Sequence, residues 1–396
     1  MSVAGIGKKT VRDVALSGRT ALIRADLNVP IENGVITDDT RIRESLPTLL
    51  YLLEHGAQVV LCSHLGRPKG VDPALSLAPV AGRLANLLNR EVYFAEDCVG
   101  PIAVDAVTAH GGAVVLLENL RFHPEEEAND PVFAGQLASL ADVFVNDAFG
   151  AAHRAHASTE GVTHFLPAVA GLLMEKEVLY LSALVADPPK PFAAIVGGAK
   201  VSTKIAAIDH LLPKLDMLLL GGGMANTFLK ATGVNVQASL VEDEQVETAR
   251  RILAEAKTRG VGVHLPVDVV AADRFAEDAT AVTVAAIAVP GGNMILDVGP
   301  KTVEAYATAL RSAKAVVWNG PMGVFEWEKF AGGSFGVARA VAALHATTVV
   351  GGGETAAVVA QSGLAAKFTH VSTGGGASLE MLEGRVLPGV AALMDA

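Results

Sequence analysis

The sequence predicts an α/β protein of two lobes, each built on a mainly parallel sheet covered by helices. Three observations carry this. Short apolar runs recur at 20–23, 59–62, 114–117, 143–145, 193–196, 217–220, 315–318 and 347–350, each the length of a strand buried on both faces. Helical patterns at 42–54, 75–88, 202–212, 241–259 and 303–312 lie between many of them, and strands alternating with amphipathic helices form parallel sheets. At 396 residues the chain exceeds one ordinary domain of about 100–200 residues.

The break between lobes is expected near 172–191. Residues 172–185 pattern as a helix, and DPPKP at 187–191 makes a stiff exit from it. A hinge helix therefore follows an N-terminal domain over 1–171 and opens a C-terminal domain over 172–378.

Composition narrows the function classes. With 42 acidic against 31 basic residues the formal charge is −11, which opposes nonspecific attraction to nucleic acid or anionic membranes. Aromatics form only 5% of the chain, too few for extended base-stacking platforms. Mean hydropathy is high at +0.40, yet the longest stretch free of Asp, Glu, Lys and Arg, 279–296, contains Pro290, Gly291 and Gly292 and reads as a strand and a turn. The first twenty residues hold Lys8, Lys9, Arg12 and Asp13 and no continuous apolar core of a signal peptide. Cys62 and Cys98 form neither a disulfide framework nor a zinc pattern and are expected as buried free thiols. A cytoplasmic enzyme that binds neither nucleic acid nor membranes is the expectation.

The chemistry differs between the halves. The first carries RADLN (24–28), SHLGRP (63–68), ENLRFH (118–123) and AHRAH (152–156), so that cationic and amide side chains gather after predicted strands. In parallel sheets, ligands collect beyond the carboxyl ends of strands. A row of Arg and His there selects a small anion. The second half offers GGAK (197–200), GGG (221–223), GGGET (351–355) and TGGG (373–376), and glycine turns ahead of helices let backbone N–H groups approach phosphates. Each glycine run alone is equally a turn required for packing. Four in one half point to a nucleotide, although GIGKKT (5–10) lacks P-loop spacing and no triplet completes GxGxxG.

Lys200 and Lys204 share a face if a helix starts near Lys200, beside its positively polarised end. Surface lysines are the bland alternative. Glu326, in WNGPMGVFEW (318–327), is placed to accept from ribose hydroxyls or is a solvated loop glutamate. His153 and His156 lack the carboxylate or Cys partners of a metal site and are expected to pack beside Arg154. Whether Arg24, Arg41, Arg67, Arg121 and Arg154 converge is a question of tertiary structure.

Taken in order, the segments 24–30, 63–68, 118–123, 145–159, 197–204, 221–228, 318–327, 351–355 and 372–380 resemble the phosphoglycerate kinase family over essentially the whole chain. The resemblance implies two Rossmann-like lobes and reversible phosphoryl transfer between 1,3-bisphosphoglycerate and ADP, giving 3-phosphoglycerate and ATP, with Mg2+ on the nucleotide. It implies 3-phosphoglycerate binding by Asp26, Asn28, Arg41, His64, Arg67, Arg121 and Arg154. Nucleotide binding falls to Gly197, Lys200, Lys204, Gly221, Gly222, Asn319, Glu326, Gly352, Gly353, Glu354 and Thr355. Arg41, Lys200 and Gly375 would meet the migrating phosphoryl group, and 379–396 would return to the first lobe. One departure stands out: the family usually has Asp where this chain has Glu354, the carboxylate that serves the metal. A monomer is expected. The competing readings are a carboxylate kinase of the acetate or aspartate type and, from another class, a polyanion-binding module.

Overall fold

The computed structural model describes residues 7–396; residues 1–6, which include the start of the GIGKKT string, lie outside the described residues. The chain forms two compact units. One runs to Leu179 and takes in Val386–Ala396, and the other is Tyr180–Arg385.

The first unit contains β1 (Thr20–Arg24), a short hairpin of β2 (Ile31–Glu32) and β3 (Val35–Ile36), β4 (Gln58–Cys62), β5 (Val92–Ala95), β6 (Val114–Leu117), β7 (Val143–Asn146) and β8 (Ala168–Ala170). Six of these form a parallel sheet in the order β5-β6-β4-β1-β7-β8, with Ala21 in register with Val59 on one side and Val143 on the other. From β1 the chain departs towards β4 and later returns on the opposite side at β7. That reversal opens a crevice beyond the carboxyl ends of β1 and β7. The apolar runs make these strands central: β6 and β7 are buried at every position, and Ile23, Leu61, Leu116 and Val145 share one aliphatic core. The edge strand β5 is half exposed, and its short run VYFA is flanked by the charged Arg90, Glu91 and Glu96.

The second unit contains β9 (Phe192–Val196), β10 (Met217–Leu220), β11 (Gly262–His264), β12 (Asp268–Ala272), β13 (Ala281–Ala285), β14 (Met294–Val298), β15 (Ala315–Asn319), β16 (Thr347–Gly351) and β17 (His370–Val371). Its parallel sheet runs β11-β10-β9-β15-β16-β17, the doubly wound order whose switch point lies between β9 and β15. The uncharged stretch 279–296 supplies a strand, β13, and the turn at Pro290 to Gly292, and in addition the start of β14; β13 and β14 flank β12 in a three-stranded antiparallel sheet.

The helix Leu172–Ala186 starts where the sequence predicts. Asp147, at the end of β7, accepts the Leu173 and Met174 N–H groups at 2.9 and 3.2 Å, while Thr48 Oγ1 accepts that of Leu172 at 2.9 Å. Three of the helix's unpaired donors are thereby satisfied. Gly171 is required here, since a Cβ would lie 2.1 Å from Asp147 Oδ1. Burial raises the Asp147 carboxyl to about 6. The terminal segment joins the first unit: Met394 N–H donates to Ala168 O, and Lys8 donates to the carbonyls of Ala391 and Leu393.

Candidate active site

The first unit gathers its cations in two layers. Below lies Arg24, wholly buried at the end of β1, donating from Nε to Ser158 Oγ at 2.9 Å and to the Ala25 carbonyl. Ser158 in turn donates to Glu126, a fully buried carboxylate whose pKa burial raises against the pull of Arg24 and Ser158. Arg24 Nη2 meets His64 Nδ1 at 3.0 Å. A guanidinium only donates, so Nδ1 is the acceptor and Nε2 carries the proton of a neutral ring. Burial, then the charges of Arg24, Arg121 and Arg41, hold His64 well below the usual histidine range. It is therefore a fixed N–H donor.

The upper layer contains the ligand-facing candidates. Arg41 Nη1 reaches Asp26 Oδ1 at 3.2 Å and Asn28 O at 2.9 Å, and Asn28 Oδ1 accepts the Gly66 N–H at 2.9 Å. Arg121 Nη1 donates to Gly66 O at 2.7 Å. Its buried Nε lacks a hydrogen-bond acceptor among the described residues, with Glu127 Oε1 at 3.2 Å making an ion pair only. Arg154 sits beside His153 and close enough to Arg121 and His156 to depress both. Arg67 is exposed and makes no ion pair among the described residues. Arg24, Arg41, Arg121 and Arg154 thus converge around His64 and His156, and Arg67 lies next to Gly66. Asn119 is architectural: it accepts from Leu65 and Arg121 N–H groups and donates to Leu65 and Leu75 carbonyls, tying the turn after β6 to the one after β4.

In the second unit three turns interlock at the switch point. Gly197 N–H donates to Asn319 O, Gly198 N–H to Pro321 O and Gly222 N–H to Met322 O, all at 2.9 Å. A Cβ on Gly197 would lie 2.2 Å from Pro321 O, and one on Gly222 2.6 Å from Gly198 backbone. Gly221 is closed off by the Met322 sulfur in the same way. Glycine at 197 and 222 is demanded by backbone packing and at 221 by the Met322 side chain, with a positive φ of 66° at Gly222 as a second reason. The opposite side of these turns faces a cavity of about 530 Å³ with an apolar wall of Leu240, Phe275, Met294, Leu296 and Val324 and with Glu326 and Glu354 on its rim.

Lys204 is half-buried and donates to Asn319 Oδ1; burial lowers its pKa, opposed by Glu354 and Glu383. Asn319 Nδ2 is buried without an acceptor among the described residues. Thr355 Oγ1 accepts the Gly320 N–H at 2.6 Å, locking the turn after β15 to the helix Gly353–Gln361, whose first turn exposes Glu354. Gly352 precedes that helix with φ 93°, and Gly353 has open space around it. Gly375 takes φ 50° ahead of the helix Gly376–Leu382.

One expectation is corrected. The helix after β9 is Ile205–Leu211, so Lys200 and Lys204 do not share a helical face. Ser202 donates through both its N–H and its hydroxyl to Glu242, and this clamp holds the segment in a turn. Lys200 is consequently exposed on the loop. Sequence reasoning also missed Glu126, Ser158 and Glu242, whose local strings give no sign of their distant partners.

A doubly wound scaffold with a cationic crevice in one unit and a glycine-walled cavity flanked by lysines in the other defines a phosphotransferase for a small anionic acceptor. The comparisons specify it. The model of the phosphoglycerate kinase family matches residues 11–385. A phosphoglycerate kinase of Moorella thermoacetica is 58% identical over 392 residues, 98% of this chain and 100% of the relative, and a cytosolic one of Triticum aestivum is 57% identical over 98% of each. The solved phosphoglycerate kinase of Coxiella burnetii superposes with a TM-score of 0.88 at 43% identity, covering 97% of this chain and 98% of the other. The chain belongs to the phosphoglycerate kinase family. It is an ATP-using kinase of glycolysis whose acceptor is the carboxylate of phosphoglycerate.

Proposed function

We propose that the first unit binds 3-phosphoglycerate and the second the magnesium-nucleotide. The observation that supports this most directly is the pairing of a fixed His64 N–H donor with surrounding guanidinium groups at the carboxyl end of one sheet, against a glycine-lined cavity at the carboxyl end of the other. Arg67, Arg121, Arg154 and His64 hold the triose phosphate, with Asp26 and Asn28 orienting Arg41 and the acceptor. The apolar wall receives the base, Glu326 the ribose, and Lys204, Asn319 and the turns at Gly352 and Gly353 the phosphates.

Phosphoryl transfer passes through a loose, metaphosphate-like state, so alignment and charge compensation are the enzyme's task. The acceptor carboxylate is already an anion and needs no general base. Lys200 and Arg41 meet the equatorial oxygens in transit, with the N–H groups following Gly375. Glu354 suits an oxygen-preferring cation, being an exposed carboxylate on the cavity rim. It would hold Mg2+, which supplies charge neutralisation on the nucleotide phosphates. With the ligands assigned to different units, closure of the units on binding both substrates is part of the proposal, with the helix Leu172–Ala186 as the hinge. Compaction in solution scattering with both substrates is expected; no change would argue against it.

The protein is proposed to act as a cytoplasmic monomer without nucleic-acid or membrane partners. The charge of −11 supports this, and no helix among the described residues is long and apolar enough to cross a membrane. The deciding assay is phosphorylation of 3-phosphoglycerate by magnesium-ATP with acetate and aspartate as competitors. Saturable turnover of 3-phosphoglycerate alone is expected, and preference for either competitor would overturn the acceptor assignment.

A further inference from the structure

Away from both ligand sites, three side chains of different chemistry meet at the carboxyl ends of neighbouring strands. Asp97 and Cys98 follow β5, and His123 follows the turn after β6, with Ala95 and Leu117 in register between the two strands. A carboxylate oxygen, the sulfur and an imidazole nitrogen all lie within 4.8 Å of one another. His123 Nε2 stands 2.8 Å from Asp97 Oδ1, which also accepts the Cys98 N–H at 2.7 Å. The sulfur is buried, while the Asp97 and His123 side chains are about a third exposed. The pocket is therefore dry at its sulfur and open to solvent on its other side.

We propose that Asp97, Cys98 and His123 form a site for a divalent cation of the zinc class. Thiolate, imidazole and carboxylate together are a zinc-type donor set, and sulfur disfavours Mg2+ and Ca2+. Three protein ligands leave a fourth position for water. Metal–ligand distances of about 2.0–2.3 Å need the donors drawn in by roughly an ångström, which rotation of the half-exposed Asp97 and His123 supplies. The Cys98 N–H fixes one carboxylate oxygen and leaves the other to the metal, the role of an outer hydrogen bond at such centres. Sulfur binds metal as the thiolate, so binding releases one proton from sulfur to solvent as the metal–sulfur bond forms. The sheet presets the donors because adjacent paired strands carry both loops.

The test uses the full chain without nucleotide. Titration with Co2+ should produce thiolate-to-cobalt absorption in the near ultraviolet, retained in Cys62→Ser and lost in Cys98→Ser. This band is blind to a metal held only by oxygens at Glu354. Competition with a chromophoric chelator should give one tight zinc per chain, weakened at least about tenfold in His123→Gln, a half-exposed position chosen to keep the fold. A wild-type protein without the band, a band that survives in Cys98→Ser, or an unchanged zinc affinity in folded His123→Gln would each overturn the assignment.

Discussion

Arg24 Nη2 lies 3.0 Å from His64 Nδ1 with both side chains buried, so the arginine sets the tautomer of the histidine rather than meeting a ligand itself. The cations of the first unit consequently separate into a foundation and a contact layer. Arg24→Met is expected to destabilise the fold by about 3–5 kcal/mol, since it strands the buried Glu126–Ser158 pair and frees the His64 ring. Arg67→Ala should leave the thermal midpoint unchanged and raise the KM for 3-phosphoglycerate roughly ten- to a hundredfold, the value of a charged hydrogen bond. Paired melting curves and kinetics check this. The reverse pattern would move Arg24 into the contact layer.

Lys200 is exposed on its loop and its Nζ makes no ion pair among the described residues, so its removal disturbs little of the fold. Loss of one well-placed charge donor is worth on the order of 3 kcal/mol in the transition state. Lys200→Ala should lower kcat about a hundredfold with an unaltered melting curve. Near-normal turnover would remove it from the mechanism.

Two buried groups predict opposite pH dependences of stability. Burial, with Arg121, Arg24 and Arg154 nearby, lowers His156 to about 4 against about 6.5 in the unfolded chain. The unfolded chain takes up the proton first, so this contribution is full above about 6.5 and is lost as pH falls towards 4. Asp147, raised to about 6, contributes below about 4, and its contribution is lost as pH rises through 6. Asp147→Asn keeps the Oδ1 that caps the helix Leu172–Ala186 and removes the buried charge. It is expected to stabilise the protein at pH 8 by about 3 kcal/mol and to have little effect at pH 4. Chemical denaturation at the two pH values decides; equal shifts at both would show that the charge is not the cause.

Strands such as Met217–Leu220 were legible because a central parallel strand needs apolar residues on both faces, and that demand is local. The candidate ligand residues were legible for a related reason, since they follow those strands. Features set by distant partners were not. The helix start at Ile205 depends on the clamp between Ser202 and Glu242, forty positions apart, and the burial of Arg24 depends on Ser158. Asp297, buried and raised to about 8 while accepting from Gly333 and Val298 N–H groups, sits in a run with no polar signal beyond itself. The glycine strings were read through phosphates, whereas at 197 and 222 the nearest demand is backbone against backbone, and at 221 it is the Met322 side chain.

That distinction makes the glycines separable. Gly197→Ala drives a methyl into the Pro321 carbonyl, which belongs to backbone and cannot rotate aside. Loss of soluble folded protein, or destabilisation beyond about 3 kcal/mol, is expected. Gly353→Ala meets open space at an ordinary φ in the first turn of a helix. It should fold normally, and if the turn contacts phosphate the added methyl will weaken nucleotide binding without moving the melting curve. Calorimetry with ADP and thermal melts separate the two cases. A well-folded Gly197→Ala would show that the interlocked turns are softer than their contacts indicate.

Glu354 carries the sharpest prediction because it departs from the Asp usual in the family. Its extra methylene displaces the carboxylate by about a bond length, whereas magnesium tolerates little departure from octahedral ligation near 2.1 Å. The side chain is exposed at the start of the helix Gly353–Gln361, so it has rotamer freedom to reach the metal directly or through a bridging water. Either route keeps the charge essential. Glu354→Gln, of equal length and shape, should lower kcat at least about tenfold and raise the magnesium concentration needed for half-maximal rate, while free-nucleotide affinity changes little. Glu354→Asp discriminates the routes: a geometry adapted to Glu loses activity on shortening, whereas a water-bridged one gains a closer ligand and a lower magnesium requirement. Turnover and magnesium dependence that stay unchanged in Glu354→Gln would take this residue out of metal binding altogether.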